Sequence, residues 1–269
     1  MRILVADPAK NITVFVLDPI ESSKERTALA RTILADKTLG AEQVGFVILP
    51  VSGSVLWRLE MAGGEFCGNA ARSFGLYAAK MQGLKGRAKV FISVSGADKP
   101  IQVEVDVEKG WAASDMPKPQ VMETLDYEGI PLHVLIFEGI THIIAPDLEA
   151  DSETFFAVKS LAERELSIFR KGLPPAIGVM FYDVTARLLR PAVYVRSTDS
   201  LFFESSCGSG SAALGVWLSR EVRDGTAQYA ITQPGGVIET EVTKRDGVID
   251  RLTIGGEVNL SGILNNKFS

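Results

Sequence analysis

Apolar positions along the chain fall into two recurring patterns. Short apolar runs bounded by turn residues read as strands, and longer segments with apolar residues at helical spacing read as helices. Residues 11–17 form the first apolar strand, ended by Asp18-Pro19. Ser22 with Glu25 gives a capping-box pattern, and Leu29, Ile33 and Leu34 set an apolar stripe on the helix that follows. Strands are predicted over 44–51 and 55–61. Past Gly63-Gly64, the segment Cys67-Gly68-Asn69-Ala70-Ala71-Arg72-Ser73-Phe74-Gly75 predicts a helix running to Met81 and stopping at Gly83. Residues 90–94 and 101–107 read as strands, the second by its alternation.

The same order then repeats. A strand run covers 132–145 with a break at Gly139, and Ser152 opens a helix carrying Phe155, Val158, Ala162 and Leu166. Strands are predicted over 179–184, 192–195 and 201–203. Cys207-Gly208-Ser209-Gly210-Ser211-Ala212-Ala213-Leu214-Gly215 starts a second small-residue helix, predicted to end near Gly225, before strands over 229–232 and 237–242. The two cysteine segments align without gaps, with a glycine eight residues beyond each cysteine. The offset is 140 between the cysteines and 137 between Val105 and Val242, which a shorter turn in the second half accounts for. The expectation is an internally duplicated α+β chain of two pseudo-symmetric lobes. The lobes are expected at 1–117 and 118–261, joined near Met116-Pro117-Lys118-Pro119, with the tail 262–269 returning to the first. Glycine within a helix costs about 1 kcal/mol relative to alanine. Finding it at the same place in both helices points to close packing, with a sheet curved around a central helix in each lobe.

Composition narrows the function classes. At about 150 residues per domain, 269 residues suggest two domains or one large one. Apolar residues at 46% and charged residues at 23% are ordinary globular proportions, which argue against long disordered stretches. No apolar run approaches the roughly 18 residues of a membrane span. An acid and a proline interrupt the N-terminus before a signal-type segment can form, so a soluble cytoplasmic protein is expected. A net charge of −5 disfavours nucleic acid as a partner. Two cysteines without a C-x-x-C, and only His133 and His142, exclude a disulfide scaffold and a His-rich zinc site, and no metal is expected.

The two cysteines carry the candidate chemistry. Each starts a helix, where free backbone N–H groups and the helix dipole favour an anion. A thiolate there is expected to have its pKa lowered toward neutrality, and Gly68 and Gly208 leave the backbone bare enough for a carboxylate to dock. With the helix starts facing one cleft, a sulfur would stand on each face of a substrate α-carbon. One thiolate would remove the α-proton and the opposite thiol would return one, which is racemisation without a cofactor. The competing readings are two buried core cysteines or a mutual disulfide. The repeated Cys-Gly at helix starts favours chemistry, since a core role needs no exposed helix terminus.

Glu65-Phe66-Cys67-Gly68-Asn69-Ala70 and Ser206-Cys207-Gly208-Ser209-Gly210 resemble the two cysteine motifs of the diaminopimelate epimerase superfamily, whose members include pyridoxal-free racemases and epimerases. Lys10-Asn11-Ile12-Thr13-Val14-Phe15 resembles that family's Gly-Asn-Asp-Phe segment, with Lys10 in place of the glycine, and Glu42-Gln43-Val44-Gly45-Phe46 resembles its glutamine segment. The resemblance implies Cys67 and Cys207 as the acid/base pair. It also implies Gly68, Asn69, Gly208 and Ser209 at the α-carboxylate, Asn11 and Gln43 lining the pocket, and no cofactor. The implied lobes are mainly antiparallel curved sheets or barrels around a central helix. The family's segments that grip a distal carboxylate are replaced here by Arg58-Leu59-Glu60-Met61, Gly139-Ile140-Thr141-His142 and Thr198-Asp199-Ser200. A buried carboxylate without its arginine is strongly penalised, which argues for a different amino acid.

The segments around Gln43, Cys67, Gly139, Cys207 and Gln233-Pro234-Gly235-Gly236 resemble histidine racemases of staphylopine-type metallophore synthesis. A histidine side chain would need a polar partner, for which Glu42, Glu65 and Glu204 are the candidates. Diaminopimelate or another amino acid is the alternative substrate, and a non-catalytic amino-acid-binding protein the alternative class. Phenazine-type isomerases lack the cysteine pair. The oligomeric state is open, a homodimer being one option. His142 reads either as a cysteine partner or as a structural hydrogen-bonder, and neither glycine-rich turn leads into the Gly-Lys-Ser/Thr of a phosphate loop.

Overall fold

A computed structural model describes residues 1–49, 56–166, 169 and 172–266. Contacts divide the chain into two units, Met1–Asp115 completed by the segment from Ile254 onward, and Met116–Thr253. The fold is mixed α/β and mostly sheet.

The first unit opens with β1 (Arg2–Asp7) antiparallel to β2 (Thr13–Val16). Helix α1 (Ser23–Ala35) carries the chain over to β3 (Gln43–Ile48), parallel to β2. Next come β4 (Trp57–Met61), antiparallel to β3, and helix α2 (Gly68–Met81), which leads to β5 (Arg87–Val94), parallel to β4. Antiparallel β6 (Ile101–Asp106) and β7 (Trp111–Asp115) follow.

In the second unit, β8 (Val121–Tyr127), β9 (Ile130–Ile136) and β10 (Ile140–Pro146) are antiparallel. Helix α3 (Ser152–Glu165) connects β10 to the parallel β11 (Ala176–Asp183). Strand β12 (Leu188–Val195) lies antiparallel to β11, with β13 (Ser200–Phe203) on it. Helix α4 (Gly208–Leu218) leads to β14 (Gly225–Gln233), which meets β12 in parallel at Leu188 and Thr232 and pairs antiparallel with β15 (Gly236–Arg245). Strand β16 (Val248–Glu257) carries the chain back to the first unit, where β17 (Asn259–Leu260) and β18 (Leu264–Asn265) pair antiparallel with β1.

Local chemistry explains the helix boundaries. The Ser22 hydroxyl accepts the Glu25 N–H and caps α1 as the pattern predicts. Ile33 and Ala30 face the core while Leu34 is 44% exposed, so the predicted stripe is narrower by one residue: Leu34 stands about 100° round the helix from Ile33. Asp151 caps α3, its carboxylate accepting the Thr154 N–H at 2.8 Å. Helix α4 ends at Leu218, short of the Gly225 end read from sequence. The buried Lys244 ammonium donates to the Ser219 carbonyl at 2.7 Å and satisfies that terminus. Strands β1, β7, β8, β16, β17 and β18 are absent from the sequence reading, and residues 50–51 and 55 of its predicted strands lie outside the described residues.

Twelve of the 14 residues of α2 are buried, and so are eight of the 11 of α4. Around α2 the core is aromatic, with Phe15 edge-on to Phe74 and Trp57 edge-on to Tyr77 at centroid distances of 5.9 and 6.0 Å. The in-helix glycines are where each helix meets its strand most closely. A Cβ at Gly75 would lie 2.5 Å from Cγ1 of Val103 on β6, and one at Gly215 would lie 2.3 Å from Cγ2 of Thr240 on β15. Val103 and Thr240 stand 137 positions apart (240 − 103), the offset already seen between the later strands.

Candidate active site

Both cysteines are helix N-caps of the same geometry. Cys67 has φ −125° and ψ 113°, and Cys207 has φ −125° and ψ 114°. Each sulfur accepts the backbone N–H three residues on, from Ala70 and from Gly210, at 3.4 Å. Neither cysteine is in a disulfide.

In the first unit the Cys67 thiol donates to Oε1 of Gln43 at 2.9 Å, placing Gln43 at the start of β3 against the sulfur. The loop before Cys67 is fastened by Ser95, whose hydroxyl accepts the Met61 N–H at 2.9 Å and donates to the Glu65 carbonyl at 3.0 Å. Gly96, with φ +71°, packs so closely on this loop that a Cβ would fall 2.3 Å from the Phe66 nitrogen. Beside the thiol runs a chain of side chains with a single direction. The fully buried Arg72 guanidinium donates from Nε to Oδ1 of Asn69 (3.1 Å), Asn69 donates to Oδ1 of Asn11 (3.1 Å), and Asn11 donates to Oε2 of Glu42 (2.7 Å). Because guanidinium only donates, each amide orientation downstream is fixed. Arg72 is held in turn by the Gly256 and Glu257 carbonyls. Asn11 follows a turn in which Ala9 and Lys10 have φ of 60° and 64°, and the Asp7 carboxylate accepts the Lys10 N–H at 2.7 Å. Lys10 thus adopts a left-handed backbone at the position where the resembling segment has glycine.

In the second unit the buried Gln233 side chain accepts the Cys207 N–H at 2.8 Å and donates to the Ser211 hydroxyl at 2.9 Å, which itself donates to the Cys207 carbonyl at 2.7 Å. The Ser209 hydroxyl lies 3.6 Å from the Cys207 sulfur and 2.9 Å from Nε2 of His142.

Burial pushes the Cys67 thiol up to about 11, with the Glu65 charge adding to it, against the opposing pull of the Ala70 N–H and Gln43. Burial also raises Cys207, joined by the charge of and a hydrogen bond to Glu204, against Gly210 and Ser209. The expectation of thiols lowered toward neutrality is therefore overturned: desolvation of the sulfur outweighs the helix terminus. Burial raises the Glu42 carboxyl too, opposed by the Asn11 hydrogen bond and reinforced by Asp7.

Asn11, Glu42, Gln43, Glu65, Cys67, Gly68 and Asn69 all belong to the first unit, and Glu204, Cys207, Gly208 and Ser209 to the second. Of the three candidate carboxylates, Glu42 ends the amide chain, while Glu65 and Glu204 act on the thiols. Arg72, Ser95 and Ser211 were not singled out from sequence, and Gln233 stood only within a resembling segment. For Arg72 the signal was available: a long cation three residues beyond Asn69, on the same face of the helix and directly after a first turn of small residues. Among the described residues no group of three or more His, Cys, Asp or Glu side chains could hold a metal ion, and no helix is long and apolar enough to cross a membrane.

A family model described as the histidine racemase CntK N-terminal domain matches residues 3–263. The chain belongs to this histidine racemase family. Among its relatives, a histidine racemase of Fusobacterium nucleatum is 31% identical over 249 residues, covering 91% of this chain and 90% of the relative. One from Staphylococcus aureus is 27% identical over 240 residues, covering 86% and 85%. A solved hydroxyproline epimerase from Agrobacterium vitis, with trans-4-hydroxy-L-proline bound, superposes with a TM-score of 0.64 over 98% of this chain and 91% of that one, at 12% identity, and shares the fold. The family places the chain among the isomerases, as an amino-acid racemase.

Proposed function

We propose that the protein interconverts L- and D-histidine without a cofactor, with Cys67 and Cys207 as the acid/base pair. The observation that carries this reading is the matched cap geometry of the only two cysteines in the chain. It is supported by family membership and by the names of the relatives, which act on histidine. In the same reading the two units are pseudo-symmetric lobes, each folded around its cysteine helix, since their strand pairings and parallel helical crossovers succeed one another in the same order.

The chemistry needs one thiolate and one thiol. The substrate carboxylate docks at the two helix starts, on the backbone of Gly68 and Asn69 and of Gly208 and Ser209. The thiolate takes the α-hydrogen as a proton, and the C–H electron pair passes into the carboxylate as the α-carbon flattens. The thiol on the opposite face then gives its proton to that carbon, inverting it and leaving the two sulfurs with exchanged protonation states. Gln43 suits the donor role of Cys67 because its carbonyl oxygen accepts the thiol hydrogen. Both thiols start above neutrality, so the enzyme depends on substrate and neighbouring dipoles to favour one thiolate. Glu42, whose Oε2 is occupied by Asn11, offers its second oxygen to an imidazole N–H of the substrate.

Incubation with L-histidine in deuterated water tests the reading. Both enantiomers should appear, the inverted one carrying deuterium at Cα, with no added cofactor. Binding of histidine without inversion or exchange would refute catalysis and favour a binding protein; exchange with another amino acid alone would reassign the substrate.

A further inference from the structure

Ser209 is the second residue after Cys207, at the position that Asn69 holds after Cys67. Asn69 turns its amide to Asn11, whereas the Ser209 hydroxyl lies between the Cys207 sulfur and Nε2 of His142 on β10. His142 is fully buried, edge-on to Phe137 at a centroid distance of 5.9 Å. Its Nδ1 has no hydrogen-bond partner among the described residues. Gly178 of β11 closes that side of the ring, for a Cβ there would lie 2.5 Å from Nδ1. A buried N–H without an acceptor is rarer and more costly than an unshared lone pair. The single ring proton therefore sits on Nε2, and burial, which takes the His142 pKa down to about 3, keeps the ring neutral. Nε2–H donates to Ser209 Oγ, and the hydroxyl hydrogen is left to point away from the ring.

We propose that His142 is a positioning residue that fixes the Ser209 hydroxyl as a donor to the Cys207 sulfur and so favours its thiolate. The inference deepens the racemase reading and rests on it for the role of Cys207. His142 is not the base: it stays neutral and reaches the sulfur only through Ser209. The groups facing this helix start are few. Glu204 opposes the thiolate and the Gly210 N–H supports it. Strand β14 contributes the uncharged Gln233, β11 contributes Gly178 and Met180, and the Lys244 cation of β15 lies at the other end of α4, on Ser219. Gly178 is part of the device, since any side chain there would displace the ring.

The test is the pH dependence of iodoacetamide alkylation at each cysteine of the full chain, resolved by peptide mass spectrometry, in wild type, His142→Phe, His142→Gln and Ser209→Ala. Ser209→Ala deletes the hydrogen bond to the charged sulfur, so the Cys207 thiolate fraction at a given pH should fall about tenfold; His142→Phe keeps the hydroxyl but removes the donor that fixes it, so the fall should be smaller, about threefold. Cys67 should stay within about twofold. Gln, which retains an amide N–H near the Nε2 position, should recover most of the loss. If His142→Phe fails to fold, Ser209→Ala carries the test alone. A Cys207 profile unmoved by Ser209→Ala, equal displacement of both cysteines, or Gln no better than Phe would overturn the proposal. The assay uses no substrate, so its outcome is separate from that of the isotope experiment.

Discussion

Replacing Gly215 with alanine tests the close crossing of α4 over β15. The new Cβ would stand 2.3 Å from Cγ2 of Thr240, 3.1 Å from its Cβ and 3.6 Å from Cγ2 of Val242. Carbon atoms rest at about 3.5–4.0 Å, so the first contact is short by more than 1 Å. Alanine regains about 1 kcal/mol of helix propensity, while overpacking of a core costs about 1–3 kcal/mol, leaving a net loss of up to about 2 kcal/mol. Thr240→Ser removes the offending methyl and keeps the hydroxyl that donates to the Ser211 carbonyl at 3.4 Å. Alone, that change should cost about 1 kcal/mol, by analogy with the loss of one buried methyl. Together the two should be less harmful than their sum by about 1–2 kcal/mol. Gly75→Ala should behave differently. There Val103 presents Cγ1, Cβ and Cγ2 at 2.5, 2.6 and 2.8 Å, so Val103→Ala leaves the 2.6 Å clash in place and should rescue poorly. Urea unfolding followed by far-UV circular dichroism reads all five variants. A Gly215→Ala protein more stable than wild type, or rescue at Gly75 but not at Gly215, would refute the packing argument.

Three further outcomes follow from the site. Gln233→Leu removes the acceptor of the Cys207 N–H, and one orphaned buried donor should cost about 1–3 kcal/mol, read as a fall in melting temperature with racemase activity reduced alongside. Arg72→Met breaks the chain at its origin, orphaning Asn69 Oδ1 and two carbonyls; stability should fall by at least about 2 kcal/mol, and KM for histidine should rise in whatever protein folds, because Asn11 and Glu42 lose their fixed orientation. The Cys67 thiol, raised to about 11, holds its proton more tightly in the folded than in the unfolded chain. Its stabilising contribution is complete below the unfolded thiol value near 8.5 and is lost as pH rises through about 11. Wild type should therefore lose more stability than Cys67→Ala between about pH 9 and 11 in urea titrations.

The elements most readable from sequence are those whose local chemistry has one solution. Cys-Gly ahead of a small-residue run marks both α2 and α4, and the mid-helix glycines announce the close approaches to Val103 and Thr240. Strand β7, Trp111-Ala112-Ala113-Ser114-Asp115, is short and carries only small or polar residues after Trp111, so no alternation betrays it. In β8 only Leu125 is buried, and in β16 two glycines interrupt the apolar run. The site was legible as residue types at helix starts. Its electrostatics were not, because the sign of a thiol shift depends on the balance between the N–H donors that sequence suggests and the desolvation that only tertiary packing sets. The amide chain from Arg72 to Glu42 joins residues 30 positions apart and became visible only once β2, β3 and α2 were placed beside one another.

The central claim is that two thiols divide the work of one proton exchange, one on each face. Single Cys67→Ser and Cys207→Ser variants, folded as judged by circular dichroism and incubated with L-histidine in deuterated water, test it most directly by chiral chromatography coupled to mass spectrometry. D-histidine formation should fall at least about a thousandfold in each variant, since a serine hydroxyl is far too weak an acid/base partner near neutral pH. Inversion at more than a tenth of the wild-type rate in either variant would contradict it.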